Sequence, residues 1–102
     1  MWQCEDPRFS LAYSRDEKGF LVQHEELEWN NETMLVDVCF VHGVRKYEVY
    51  LDSPSPYVRH EDRLFSGTWK YRRGDLVLII EDDFLFDNRY SELVFSPVSQ
   101  NQ

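Results

Sequence analysis

The segment LFSGTWKYRRGDLVLIIE, residues 64–81, constrains the fold most strongly, because it has the pattern of two strands joined by a two-residue turn. Apolar and polar residues alternate on both sides of Arg73-Gly74, which is typical of half-buried strands. A turn at that dipeptide aligns three inward-facing pairs: Tyr71 with Leu76, Trp69 with Leu78, and Gly67 with Ile80. On the opposite face Arg72 meets Asp75, a favourable charge pair. We therefore expect an antiparallel hairpin with Trp69 in the core.

A second hairpin is predicted over TMLVDVCFVHGVRKYEVYLD, residues 33–52. If His42-Gly43 forms a two-residue turn, an apolar face arises from four pairs: Met34 with Leu51, Val36 with Val49, Val38 with Tyr47, and Phe40 with Arg45. In this register Asp37 lies opposite Glu48, and paired carboxylates can support acid–base chemistry. Lys46 lies diagonal to Asp37 and neutralises it, so we expect a structural role for the pair.

The remaining segments continue the period of two. Phe9, Leu11 and Tyr13 alternate with small or polar residues before a turn at 14–19, which predicts a first hairpin. Residues 24–32, HEELEWNNE, leave room for a short helical turn before the Asn pair.

The chain ends in a further predicted hairpin. The prolines of DSPSPY, residues 52–57, end the predicted hairpin of residues 33–52. The last hairpin joins FLF to ELVF through Asp87-Asn88-Arg89-Tyr90, and Ser96-Pro97 ends its second strand. We therefore predict a single all-β domain over residues 1–102: a small antiparallel meander barrel or two-sheet sandwich of seven or eight strands.

The predicted hairpin of residues 64–81 also resembles a known family. GTWKYRRGDLVLI, from Gly67 to Ile79, is similar to the G-T-W…G-x-L-x-L strand pair of lipocalin-like (calycin) β-barrels. In those domains the Gly-x-Trp usually lies near the N-terminus, whereas here it begins at Gly67. The resemblance implies a barrel with an apolar ligand cavity, and it transfers no functional residues to this chain.

Charge limits the classes of partner. The 102 residues carry a formal charge of −8, which repels nucleic-acid backbones and anionic membranes and attracts a basic protein. Acids dominate residues 1–31 and the region from Glu81 onward, whereas Arg59 to Arg73 is rich in bases. Without a signal peptide or membrane-spanning stretch, we expect a cytoplasmic protein with reduced thiols. Whether Cys4 and Cys39 pair, and which oligomer forms, stays open.

The stretch EDDFLFDNRY, residues 81–90, is the main candidate site. Asp82, Asp83, Asp87 and Asn88 suggest calcium, but apolar residues occupy the middle and the central Gly of a calcium loop is missing. His24-Glu25-Glu26 and His60-Glu61-Asp62 each lack the second histidine of a helical zinc site. We therefore expect neither metal nor cofactor, and no catalytic residue.

The function expected from these observations is protein binding without catalysis. We expect a small acidic module, of the inhibitor or immunity type, that acts on a basic partner. Its predicted contact residues lie at one hairpin tip, where Phe84 and Phe86 point inward and hold the loop: Asp82, Asp83, Asp87, Arg89 and Tyr90. The alternative is a small lipocalin-like barrel that binds an apolar molecule.

Overall fold

The computed structural model describes residues 2–11, 21–41, 43–52 and 63–98, with the backbone alone at 21–24. They form a closed antiparallel barrel of eight strands: β1 (Trp2–Cys4), β2 (Arg8–Leu11), β3 (Leu21–Trp29), β4 (Glu32–Val41), β5 (Lys46–Leu51), β6 (Arg63–Arg72), β7 (Asp75–Asp83) and β8 (Glu92–Pro97). Each strand pairs with its neighbour in sequence, and β8 closes onto β1. The predicted all-β meander is confirmed, and it is a barrel.

Aromatic and aliphatic side chains fill the interior. The largest fully buried side chains come from every strand except β1 and from the β7–β8 loop: Tyr47, Phe9, Phe65, Phe86, Phe95, Leu27, Leu78, Leu93, Val36, Val38, Val49 and Val77. Rings meet across the barrel, with centroids 5.5 Å apart for Phe9 and Phe95 and 6.1 Å apart for Tyr47 and Phe65. Eight-stranded barrels are just wide enough for side chains to fill. Each large apolar side chain contributes about 1.5–3 kcal/mol on burial.

The β6–β7 hairpin has the predicted register, including Trp69 opposite Leu78 and Arg72 opposite Asp75. Arg73 and Gly74 both have positive φ, 55° and 85°, as a tight two-residue hairpin turn requires. Trp69 is only half-buried and packs against the core from one end of the barrel, so the expectation of a core Trp69 holds in part.

The predicted β4–β5 register is wrong by two residues. The structure pairs Val36 with Leu51, Val38 with Val49 and Phe40 with Tyr47, and four residues, 42–45, connect the strands. His42 lies outside the described residues. A shift of two preserves which side chains face inward, so apolar alternation cannot distinguish the two registers. The shift also takes Arg45 off the apolar face and places it in the turn.

Because of this shift, Asp37 and Glu48 do not lie directly opposite one another, as the predicted register had placed them. Asp37 lies opposite Tyr50, and Glu48 lies opposite Cys39, so Asp37 and Glu48 are diagonal neighbours. Lys46 lies opposite Val41.

The short helical turn proposed for residues 24–32 is also wrong. β3 continues to Trp29 and pairs with β4 along its whole length, with Leu27 opposite Met34. Asn30 and Asn31 have φ of 55° and 63° and make the hairpin turn, a conformation that Asn tolerates better than most residues. Long-range pairing on both edges outweighs the weak helix preference of Glu and Leu.

The antiparallel pairing of β2 with β3 is confirmed through Phe9 and Leu27. The predicted first turn, with Tyr13, lies outside the described residues, as do the prolines that follow β5. Among the described residues, no helix is long and apolar enough to cross a membrane.

The last predicted hairpin is wrong in its first strand. ELVF pairs instead with residues of β7, Leu76 with Phe95 and Leu78 with Leu93. FLF therefore belongs to a loop, residues 84–91, that joins Asp83 to Glu92. β8 ends at Pro97, as expected. β8 pairs with β7 on one edge and with β1 on the other, so neither edge is left for FLF.

Candidate functional site

Among the described residues, acids predominate at one end of the barrel and bases at the other, because the meander order places alternate connections at opposite ends. One end, the acidic end, carries the β1–β2, β3–β4 and β7–β8 connections and the strand ends beside them. Among the described residues its acids are Glu5, Asp6, Glu28, Glu32, Asp52, Glu81, Asp82, Asp83 and Asp87, and its bases are Arg8, Arg63 and Arg89. The opposite end, the basic end, carries the β4–β5 and β6–β7 turns. Its described bases are Arg45, Lys46, Lys70, Arg72 and Arg73, and the acids beside them are Asp75 and Glu92.

The 84–91 loop at the acidic end is held by the carboxylate of Asp83. One oxygen, Oδ1, accepts the backbone N–H groups of Leu85 and Phe86 at 2.9 and 2.7 Å, and Oδ2 accepts that of Asn88 at 2.9 Å. Asp and Asn commonly organise turns through such bonds. Asp87 and Asn88 have φ of 54° and 61°, which Asp and Asn adopt more readily than most residues. The loop is thereby fixed locally.

Phe86 anchors the same loop to the barrel. Its side chain is fully buried, and its ring lies 5.2 Å from Trp29, 5.0 Å from Phe65 and 5.1 Å from Tyr90, centroid to centroid. Edge-to-face contacts of this kind add about 0.5–1.5 kcal/mol beyond area burial. The predicted inward orientation of Phe86 is confirmed, and the side chain closes the acidic end from within.

Phe84 points outward, so its predicted inward orientation is wrong. Its side chain is 66% exposed. Strand alternation does not apply here, because β7 ends at Asp83. The Phe84 N–H donates to the Leu64 carbonyl at 2.8 Å, and the Arg63 guanidinium lies 5.5 Å from the ring centroid. The exposed Phe84 ring therefore projects from a backbone that is held in place.

The other predicted contact residues lie at this same end. Asp82 and Asp87 are exposed, whereas the Asp83 carboxylate is turned into the loop. Arg89 is exposed, with its guanidinium 5.7 Å from the Trp29 ring centroid. The Tyr90 hydroxyl donates to Asp6 Oδ1 at 2.9 Å, and desolvation together with this bond raises the pKa of Tyr90.

Sequence reasoning missed two contributors to this surface, Phe84 as an exposed ring and Asp6 as the acceptor for Tyr90. The contact between Asp6 and Tyr90 joins residues 84 positions apart, so no local pattern indicates it. The exposure of Phe84 follows from the end of β7 at Asp83, which the prediction of a strand over FLF had hidden.

The thiols do not have the character of nucleophiles. Cys4 and Cys39 are both free. Burial raises the pKa of each, and for Cys39 the nearby carboxylates of Glu48 and Asp37 raise it further. Across the described part of the chain, no group of three or more His, Cys, Asp or Glu side chains is arranged to hold a metal ion.

No protein family, curated protein or solved structure matches this chain in sequence or structure comparisons. The closed barrel of eight antiparallel strands is consistent with the lipocalin-like resemblance at the level of architecture. Any function must therefore be argued from the chemistry of the surfaces themselves.

Proposed function

We propose that this chain is a small acidic protein-binding module, of the inhibitor or immunity type, whose acidic end docks onto a basic surface of another protein. The observation that carries the proposal is Phe84, a 66% exposed ring on a loop that Asp83 and Phe86 hold in place. Asp82 and Asp87 lie exposed on either side of it in sequence. An exposed aromatic ring with an arginine beside it and acids around it is a typical composition for an interface anchor and its rim.

The two kinds of residue make separate contributions to binding. Exposed carboxylates steer a basic partner toward the surface and raise the association rate. The Phe84 ring loses its contact with water in the complex, and burial of such a side chain contributes about 1.5–3 kcal/mol. Because the loop is already ordered, little conformational entropy is lost on binding.

The alternative function, a barrel that encloses an apolar ligand, has less support. The rings of Phe9, Tyr47, Phe65, Phe86 and Phe95 occupy the interior that such a ligand would need. An apolar molecule that raised the melting temperature of the wild type would favour this alternative.

Two matched variants test the proposal. The acid-reversed variant carries Glu81→Lys, Asp82→Lys and Asp87→Asn, three exposed positions, with Asn chosen because it tolerates the positive φ at residue 87. The base-reversed variant, Arg45→Asp with Arg73→Asp, is the control. Both of its positions lie in turns and have positive φ, where Asp is well tolerated.

Each tagged protein is used to capture partners from the native host's lysate, and mass spectrometry identifies them. We expect a basic protein that binds the wild type and the base-reversed variant but not the acid-reversed variant. Capture of the same proteins by all three would overturn the proposed acidic docking surface.

A further inference from the structure

The basic end carries a second surface, an aromatic rim formed by Trp2, Phe40, Trp69 and Tyr71. Their rings follow one another, with centroids 5.9 Å apart for Trp2 and Tyr71, 5.6 Å for Trp69 and Tyr71, and 6.2 Å for Phe40 and Trp69. These residues occupy inward-facing positions at strand ends. Tyr71 is 50% exposed, and the other three are half-buried.

Positive charge surrounds this rim. The Arg45 guanidinium lies 5.6 Å from the Trp69 ring centroid, and the Trp69 backbone N–H donates to the Arg45 carbonyl at 2.9 Å. Arg73 is exposed in the β6–β7 turn at this end, and Lys46 is exposed on the outer wall. Arg72 instead forms an ion pair with Glu92 at 2.8 Å. Of the described cations at this end, Arg45 therefore lies against an aromatic ring, whereas Arg72 is neutralised by Glu92.

The rim also contains a hydrogen-bond donor without an acceptor. The Trp69 indole Nε1 is buried and has no hydrogen-bond partner among the described atoms. A buried N–H without a partner is unfavourable, because it has lost its bonds to water. Because Nε1 has almost no exposed surface, a docked partner contacts the rim through the exposed Tyr71 ring and the Arg45 guanidinium, which a carboxylate can neutralise.

We propose that the basic end docks the acidic end of a second copy of this chain, head to tail. The two ends are complementary in two respects: acids face bases, including the Arg45 guanidinium, and Phe84 meets the aromatic rim. One of the two surfaces is the acidic end discussed above, so the inference rests on the proposed function for that surface. A basic partner and a second copy then compete for the acidic end, so self-association blocks partner binding until the copies dissociate.

The geometry predicts how the assembly grows. A head-to-tail contact uses different surfaces on the two copies and leaves one acidic and one basic end open, so further copies add or a ring closes. The formal charge of −8 on each copy opposes association. We therefore expect weak assembly that is best measured at protein concentrations up to about 1 mM.

Sedimentation equilibrium of the full chain tests this inference through charge reversal. We expect the average mass of the wild type to rise with concentration. The acid-reversed and base-reversed variants alone should each lose association by at least about tenfold, because each has one end whose charge is reduced almost to zero and therefore no longer attracts the opposite end. A 1:1 mixture of the two variants should regain association, because each variant supplies the end that the other needs. Salt alone is less informative, since it screens both the contact and the net repulsion.

Three results would overturn the inference: a wild type that stays monomeric to about 1 mM, variants that associate as well as the wild type, or a mixture that does not recover. Lys70→Glu, at an exposed strand position, provides a second base-end variant if the turn substitutions impair folding. The base-reversed variant keeps its acidic end and should still capture the basic partner. Loss of self-association with retained capture therefore separates this inference from the proposed function.

Discussion

Asp83 shows how a single carboxylate holds a functional loop in place. It accepts three backbone N–H groups, from Leu85, Phe86 and Asn88. We expect Asp83→Ala to lower the free energy of unfolding by about 2–4 kcal/mol, because these N–H groups lose a charged acceptor. Asp82→Ala, at the exposed neighbouring position, should change it by less than about 0.5 kcal/mol. Urea denaturation measures both, and equal effects would show that the Asp83 bonds do not hold the loop.

Gly67 is a second residue whose side chain, or lack of one, determines local structure. A β-bulge between Ser66 and Gly67 brings the Ile79 carbonyl so close that a Cβ on Gly67 would lie 1.9 Å from its oxygen. The same oxygen accepts the buried Tyr47 hydroxyl at 3.0 Å. Neither the Ile79 carbonyl nor the Tyr47 hydroxyl bonded to it has room to move away.

We therefore expect Gly67→Ala to destabilise the protein by more than about 3 kcal/mol, above the usual range for overpacking. The matched control is Gly43→Ala. That position has open space around it and only the strain of a φ of 87°, so its cost should be about 1–2 kcal/mol. Thermal and urea denaturation of the two variants compare them, and a Gly67 variant as stable as the Gly43 variant would contradict the proposed close approach.

On the scale of the strand, β5 carries a titratable group on the outer wall of the barrel. Tyr50 is 6% exposed, and its hydroxyl donates to the Glu48 carboxylate. Desolvation and this bond raise the pKa of Tyr50 to about 12. The unfolded chain loses its phenolic proton near pH 10, so the folded state binds more protons between pH 10 and 12. This contribution is therefore fully present below pH 10 and is lost as the pH rises toward 12.

The prediction is that Tyr50→Phe weakens the loss of stability between pH 10 and 12, by up to about 1.4 kcal/mol per pH unit. Burial also raises the pKa of Tyr47, which adds to the slope in the same direction in both proteins. Urea denaturation at pH 9, 10 and 11 gives the comparison. Identical pH profiles for the wild type and Tyr50→Phe would show that Tyr50 does not titrate differently on folding.

Sequence reasoning succeeded for strands whose turn chemistry specified the register. Arg73-Gly74 has the glycine that a two-residue turn needs, and the β6–β7 register follows from it. For β4–β5 the same alternation fits two registers, and the turn of residues 42–45 selects the one that frees Arg45. The FLF segment has strand-like residues, yet Asp83 ends β7 and turns the chain. Local patterns do not show that FLF lies outside the sheet, because this depends on which strands pair with β8.

For the whole molecule, sequence reasoning predicted the sign of the charge but not its distribution on two opposite ends. That separation depends on the meander order, which places alternate connections at opposite ends of the closed barrel. The five predicted contact residues do lie at one end, although Asp83 is turned into the loop there. Phe84, which we expect to be the anchor, was predicted to point inward and is exposed.

The central claim is that the acidic end binds a basic protein, and the association rate constant with the captured partner tests it most directly. Stopped-flow measurements should compare the wild type with the acid-reversed variant at ionic strengths from about 0.05 to 0.5 M. We expect association of the variant to be at least about tenfold slower at low salt and its dependence on salt to be weaker. Phe84→Ala should mainly speed dissociation, because it removes a contact made after the encounter. Equal association rates and equal salt dependence for the wild type and the acid-reversed variant would contradict the claim and place the binding surface elsewhere on the barrel.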